Sequence, residues 1–323
     1  MYHIIQILAQ HIVKKIIGHF HFSGGQKYAK IPKWLKDAMK TSSRIVGGNN
    51  APAPIPWQVH LHYKKYGFAC GGTILDEETI LSAAHCMFPL SDPADYIAAG
   101  IKREGSSGGQ KIDVKEVIIH PQYNESRVVA KYDNDIAILK LKEPLTFNAD
   151  VRPARLPDST LNPEDKGTFA TISGWGTVSS LGPSSKDLKF AFVPILGVDK
   201  CVNLNSLYTP SNITSNMICA GDLNDGGEDS CQGDSGGPLI IPKSDSDDTV
   251  IVYGVVSWGD GCADQKGPGM YARVSNYNSW IQSYMTKPKT TQPNKTTTKK
   301  PDYSSPDQGD FHRSRQGKSL FTV

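Results

Sequence analysis

The chain has 323 residues, 38% of them hydrophobic and 21% charged, and a formal net charge of +3. These proportions suit a globular protein with enough chain for one large or two medium domains. The mild charge, with aromatic residues that are not interleaved with basic clusters, argues against nucleic acid as a partner. No run of about 18 apolar residues offers a membrane span.

Residues 1–44 are Lys-rich, contain no cysteine and read as a leader or pro-segment. The opening stretch, "MYHIIQILAQHIVKKIIGHF", is broken by Gln6, Gln10 and His11 and has no small-residue cleavage site, so it makes a poor signal peptide. Ile5, Leu8, Ile12 and Ile16 fall at helical spacing, and a weakly amphipathic basic helix is the alternative. Residues 45–286 are dense in Gly and Pro and in short β-type runs: "WQVHLHY", "KEVIIH", "DIAILKL", "TFATISGW", "VIVYGVVSW" and "GMYARV". Several alternate apolar and polar residues between turn signals, an all-β pattern of sandwich or barrel type. Near the end, Ser275 is placed to cap a helix over "NYNSWIQSYM", with Tyr277, Trp280, Ile281 and Tyr284 on one face. Residues 287–323 are rich in Thr, Lys, Pro and Ser and read as a disordered, O-glycosylated tail.

Six cysteines, Cys70, Cys86, Cys201, Cys219, Cys231 and Cys262, are widely spread and form no CxxC pair. Zinc spacing is therefore missing, and three disulfides in an oxidising compartment are expected, with fifteen pairings open. Sequons at Asn124, Asn212 and Asn294 fit a secreted chain.

Gly233-Asp234-Ser235-Gly236-Gly237 matches the G-x-S-x-G of a nucleophile elbow, which in α/β-hydrolases is followed by an acid and then a histidine. Here the only later histidine is His312, in the tail, so a base must come from upstream. His60 and His62 sit two apart on a strand and His120 precedes a proline; surface strand or turn positions account for all three. His85 lies in "LSAAHC", between small residues and a cysteine that could pin it. Asp135 in "YDNDIAILKL" precedes an apolar strand and is expected to be half buried. The resulting order is His85, Asp135, Ser235.

That order, with "RIVGG", "PWQV", "CGGTIL", "LSAAHC", "DNDIAILKL", "ISGWG", "MICAG", "DSCQGDSGGPL", "VSWG" and "GPGMYARV" in succession, resembles the trypsin-like serine proteases of the chymotrypsin fold. The resemblance covers residues 45–286 and implies two packed six-stranded antiparallel β-barrels with a C-terminal helix. It implies Ser235 as nucleophile, His85 as base, Asp135 as its orienting carboxylate, and an oxyanion hole from the backbone N–H groups of Gly233 and Ser235. It also implies cleavage of a zymogen between Arg44 and Ile45, the new ammonium of Ile45 pairing with Asp234. Asp229, six residues before Ser235, falls at the base of the primary specificity pocket, with Ser257, Gly259 and Gly269 as further substrate-binding positions. A carboxylate in a closed slot favours a cation, so Arg or Lys is expected before the scissile bond. The disulfides implied are Cys70–Cys86, Cys201–Cys219 and Cys231–Cys262.

Some features depart from relatives. No cysteine precedes Cys70 to tether the pro-segment, and "AMKTSSR" lacks the acidic run of trypsinogens, so autoactivation or another trypsin-like activator is expected. The loop "GIKREGSSGGQKID" holds only Glu104 before Asp113, too few oxygens for calcium, and Pro268 argues against sodium activation. Tyr132 is expected to border and narrow the adjacent subsite. The sequence thus describes a secreted, monomeric serine endopeptidase without metal or cofactor. Its expected partners are protein or peptide substrates and protein inhibitors of serine proteases. The rival is a non-catalytic homologue that acts as a binding module.

Overall fold

A computed structural model describes residues 48–63, 69–87, 94–158, 161–164, 168–177, 182–223, 229–242, 250–262 and 264–285. The leader, the Arg44–Ile45 junction, the Asn294 sequon and the 287–323 tail lie outside the described residues. Among those described, no helix is long and apolar enough to cross a membrane.

The fold is all-β, built from two closed six-stranded antiparallel barrels. The first contains β2 (Gln58–His62), β3 (Ala69–Ile74), β4 (Thr79–Ser82), β5 (Tyr96–Ala99), β6 (Gln110–Ile119) and β7 (Ala137–Leu141), closed in the order β2-β3-β4-β7-β6-β5. The second contains β8 (Phe169–Gly174), β9 (Lys189–Leu196), β10 (Met217–Ala220), β11 (Pro238–Pro242), β12 (Val250–Trp258) and β13 (Gly269–Arg273). Its order is β9-β10-β13-β12-β11-β8, and pairing of β8 with β9 closes the ring, while the short β1 (Asn49–Asn50) adds to β9. Closure leaves neither sheet with an open edge, which removes the usual template for unwanted strand pairing.

The runs of apolar residues follow from where the two faces of each strand go. In β12, Val250, Val252 and Val255 join a core shared with first-barrel residues such as Ile55, Leu61 and Ile138, whereas Ile251, Tyr253 and Val256 fill the second barrel. Both faces are covered, so the alternation, shifted by one residue where the pairing with β11 bulges between Val252 and Gly254, separates two cores rather than core from water. The same coverage explains why the histidines of β2 depart from expectation. His60 is buried and meets the edge of Trp175, with ring centroids 5.2 Å apart, and burial pushes its pKa down to about 4. His60 is therefore not a surface position, while His120 opens the turn expected at Pro121, its carbonyl accepting the N–H of Tyr123 at 2.9 Å, with its ring buried against Tyr277 and Trp280. His62 is half-buried and stacks on Tyr96.

Among the described residues, two short α-helices accompany the barrels. α1 (Val198–Cys201) presents the buried Cys201, and α2 (Asn278–Tyr284) follows a 3-10 turn at Val274–Tyr277. That turn shifts the start of α2 to Asn278, places Ser275 inside the turn and makes Tyr277 the N-cap, with no side-chain cap bond. Ser275 is therefore not the cap. Tyr277 and Ile281 are buried, and Tyr284 is exposed at the helix end.

Candidate active site

His85 opens a 3-10 turn (His85–Met87) directly after β4. Ala83 and Ala84 are fully buried, and their lack of bulk lets this turn lie close to the loop that precedes β7. There Asn134 adopts φ +59°, a left-handed conformation that asparagine tolerates, and it turns Asp135 inward. Asp135 is buried completely, deeper than its place before a strand suggests. Its Oδ1 accepts the backbone N–H of His85 at 2.8 Å, and its Oδ2 meets His85 Nδ1 at 2.7 Å. Since a carboxylate only accepts, Nδ1 carries the proton and Nε2 is left to accept from the cleft. Burial alone would lower the pKa of His85, but the charge and hydrogen bond of Asp135 outweigh it and hold the imidazole above its ordinary value. Ser257, at the end of β12, donates its hydroxyl to Asp135 Oδ2 at 2.5 Å. Ser257 was marked from sequence only as a substrate-binding position. The bond spans 122 residues of sequence, and no local signal announces it.

Ser235 sits in a tight turn between Gly233 (φ +95°) and Gly236 (φ +78°), values that side chains rarely adopt. The turn is pinned on both barrels. Gly71 of β3 donates its N–H to the Ser235 carbonyl at 2.7 Å, and Gly236 donates to the Val256 carbonyl at 2.9 Å. A Cβ on Gly71 would lie 2.8 Å from Gly237 Cα, so the glycine pairs in "CGGTIL" and "GDSGGP" permit this approach. Among the described residues, neither the N–H of Gly233 nor that of Ser235 donates a hydrogen bond within the protein.

His85 and Ser235 line one cleft of about 510 Å³, together with Ser257, Trp258, Gly259 and Gly269. Asp229 lies against its wall, where its Oδ1 accepts the N–H of Ser230 at 2.7 Å. A Cβ on Gly269 would come within 2.6 Å of that oxygen and 2.8 Å of the Tyr271 hydroxyl, so only glycine leaves the passage to Asp229 open. At Gly259 the nearest atom to an added Cβ is 3.8 Å away. Tyr271, fully buried, meets Ser230 Oγ at 3.2 Å; burial first and the Asp229 charge second keep its hydroxyl protonated. Tyr132 also borders the cleft, its ring set edge-on to His85 at 6.0 Å.

Asp234, beside the serine, points away from the cleft. Its Oδ1 accepts the N–H of Gly176 at 2.8 Å and its Oδ2 that of Cys231 at 3.0 Å. Side chains on Gly174 or Gly176 would collide with this carboxylate. Burial pushes its pKa up to about 6, and the two backbone donors only partly oppose that.

The cysteines pair as Cys70–Cys86, Cys201–Cys219 and Cys231–Cys262, the same three pairs the resemblance implies. The first anchors the turn that carries His85, and the last ties the segment beside Asp229 to the loop after β12. Each closes a loop of a size that contributes roughly 3 kcal/mol by chain-entropy reasoning.

The trypsin family model matches residues 45–281. Trypsin 5G1 of Aedes aegypti is 38% identical over 261 residues, 80% of this chain and 91% of that protein. Trypsin of Phaedon cochleariae is 39% identical over 239 residues, 73% of this chain and 86% of that one. Serine protease 56 of Mus musculus is 35% identical over 263 residues, 80% of this chain but 42% of that longer protein. With a two-barrel fold and a histidine, a buried aspartate and a glycine-flanked serine gathered around one cleft, the chain belongs to the trypsin family and is a serine endopeptidase.

Proposed function

We propose that this is a secreted zymogen, cut between Arg44 and Ile45, which hydrolyses peptide bonds after Arg or Lys through Ser235, His85 and Asp135. The observation that carries the specificity is the Asp229 carboxylate behind Gly269, in the wall of the cleft that holds Ser235. A long cationic side chain entering past Gly259 and Gly269 would gain a charge-assisted bond there, whereas an apolar one would strand a desolvated carboxylate.

In this reading His85 Nε2 takes the hydroxyl proton of Ser235 as Oγ attacks the scissile carbonyl carbon. The oxygen becomes an oxyanion held by the N–H groups of Gly233 and Ser235, each worth about 3 kcal/mol in the transition state. His85 then gives its proton to the departing amine, which leaves an acyl-serine. A water molecule, deprotonated by the same nitrogen, attacks the acyl carbon, and the proton returns to Oγ as the acid product departs. Asp135 stabilises the imidazolium in both halves, and the raised pKa of His85 is the ground-state trace of that interaction. The three disulfides support an oxidising, extracellular destination. Asp234, a half-buried acid whose carboxylate accepts from two backbone N–H groups, supports the coupling of cleavage to assembly of the site.

The test is amide hydrolysis by the form that begins at Ile45, using peptides with Arg, Lys or Phe before the cleaved bond. Arg and Lys substrates should turn over and Phe should not, Ser235→Ala should be silent, and Asp229→Ser should lose the cationic preference. If the form with a free Ile45 amine hydrolyses none of them and Ser235 resists a fluorophosphonate probe, the chain is a binding module and the proposal fails.

A further inference from the structure

Two sequons lie among the described residues, and their side chains are used in opposite ways. Asn124 is exposed; its Oδ1 accepts the N–H of Ser126, and among the described residues its Nδ2 donates to nothing. Asn212 is half-buried in the cleft wall, and both ends of its amide are engaged. Oδ1 accepts the N–H of Ala130 at 3.3 Å, and Nδ2 donates to the Leu207 carbonyl at 3.0 Å. Thr214, the hydroxyl residue of the same sequon, donates to Asp133 Oδ1 at 2.7 Å. Asn216 adds an Nδ2 bond to that oxygen at 3.0 Å. Asp133 Oδ2 in turn accepts from Asn134 at 3.0 Å and lies 3.4 Å from Arg127 Nη1.

Three of these bonds, from Ala130 to Asn212 and from Thr214 and Asn216 to Asp133, join the 127–134 strip, which belongs to the loop before β7 of the first barrel, to the 212–216 segment that leads into β10 of the second. The strip is costly to hold in place. Ala130 adopts φ +50°, a left-handed conformation unfavourable by about 1–2 kcal/mol for a non-glycine residue, and it is the residue whose N–H Asn212 receives. The strip also carries Val128, 95% exposed, and Tyr132, which stacks on Trp258; with Leu207 these line the cleft that holds His85 and Ser235.

We propose that Asn212, Thr214 and Asn216 form a clasp on Asp133 and Ala130 that fixes the 127–133 strip as a wall for substrate residues ahead of the cleaved bond. This inference rests on the peptidase reading above, and Thr214 acts in it as a positioning residue.

Thr214→Val keeps the side-chain shape and removes the donor to Asp133, while Thr214→Ser restores it. The substrates are a single-residue arginine amide and an arginine tetrapeptide amide with apolar residues ahead of the arginine. In Thr214→Val the KM of the tetrapeptide should rise about tenfold at unchanged kcat, the loss of one hydrogen bond to a charged group. The single-residue substrate should be unaffected, and Thr214→Ser should return the tetrapeptide KM to that of the unaltered enzyme. An equal effect on both substrates, or none on either, overturns the clasp. If the unaltered enzyme cleaves after some residue other than Arg or Lys, that specificity reading fails, and the same pair of substrates ending in the preferred residue still decides the clasp. All enzymes are produced in a host that adds no N-glycans, because Thr214→Val also removes the sequon at Asn212 and the effect must report the lost bond alone.

Discussion

The proposed cleavage before Ile45 makes a measurable prediction at Asp234, whose carboxylate carries an electrostatic cost in the fold. Its pKa stands at about 6 against an ordinary 3.8, chiefly through burial. A folded-state pKa above the unfolded one means that the folded protein binds the proton more tightly. Asp234 thus supports the uncut fold fully below about pH 4, and that support is lost as pH rises through about 6. Two pKa units at 1.36 kcal/mol each place the loss at about 3 kcal/mol, a ceiling because the residue is only half-buried. Cleavage before Ile45 would deliver an ammonium to this carboxylate, lower its pKa and abolish the penalty near neutrality. The experiment compares melting temperatures of the Ser235→Ala chain, uncut and cut at Arg44, from pH 4 to 8. At about 2–4 °C per kcal/mol for a domain of this size, the cut form should gain about 6–12 °C over the uncut form between pH 4 and 7.5. Other carboxylates titrate in both forms and cancel in the difference. Parallel curves across this range would show that no ion pair forms at Asp234, and the proposed activation route would be wrong.

Ser257→Ala removes the 2.5 Å hydroxyl bond to the buried Asp135 and should lower kcat/KM by about 10- to 100-fold, the worth of a hydrogen bond to a charged group; steady-state kinetics on an arginine amide reads it. In the proposed mechanism catalysis needs neutral His85, and Asp135 raises its pKa, so kcat/KM should fall in acid with a midpoint above 6.5. Asp135→Asn should move that midpoint down and cost about 10⁴-fold in kcat, and a wild-type midpoint below 6.5 would contradict the electrostatic assignment. Gly269→Val sets a branched side chain against Asp229 and Tyr271; KM for arginine substrates should rise at least tenfold while labelling of Ser235 by a small fluorophosphonate continues.

Much of the site was legible because its chemistry sits in short strings. "LSAAHC" names a histidine next to a cysteine and small residues, and "GDSGGP" encodes the backbone freedom that the Ser235 turn uses. Strands were legible where the apolar runs are long, as in β7 and β12. They were harder to see in "CGGTIL", where glycines dilute β propensity yet serve the contact between β3 and the serine turn. His60 is misplaced for a related reason. Reading a histidine on an alternating strand as exposed assumes that one face meets water, and here the second face meets Trp175.

What stayed hidden is the set of bonds that join distant segments. Ser257 reaches Asp135 across 122 residues, Thr214 reaches Asp133 across 81, and Gln58 accepts from Ser173 across 115. Each crosses from one barrel's strands or loops to the other's, and none carries a periodic or spacing signal, since a hydroxyl or an amide is common anywhere. Yet these bonds decide whether two independently closed barrels present one cleft. The proposed triad is divided between them, with His85 and Asp135 on the first and Ser235 on the second, so its geometry can be no firmer than that seam. The Ser257 bond holds the seam at the acid and the Gly71 bond holds it at the serine. The Asp133 cluster extends it to the wall beyond Tyr132. In this fold the residues that do chemistry are legible one barrel at a time, while their alignment is a property of polar contacts that only the folded chain brings together.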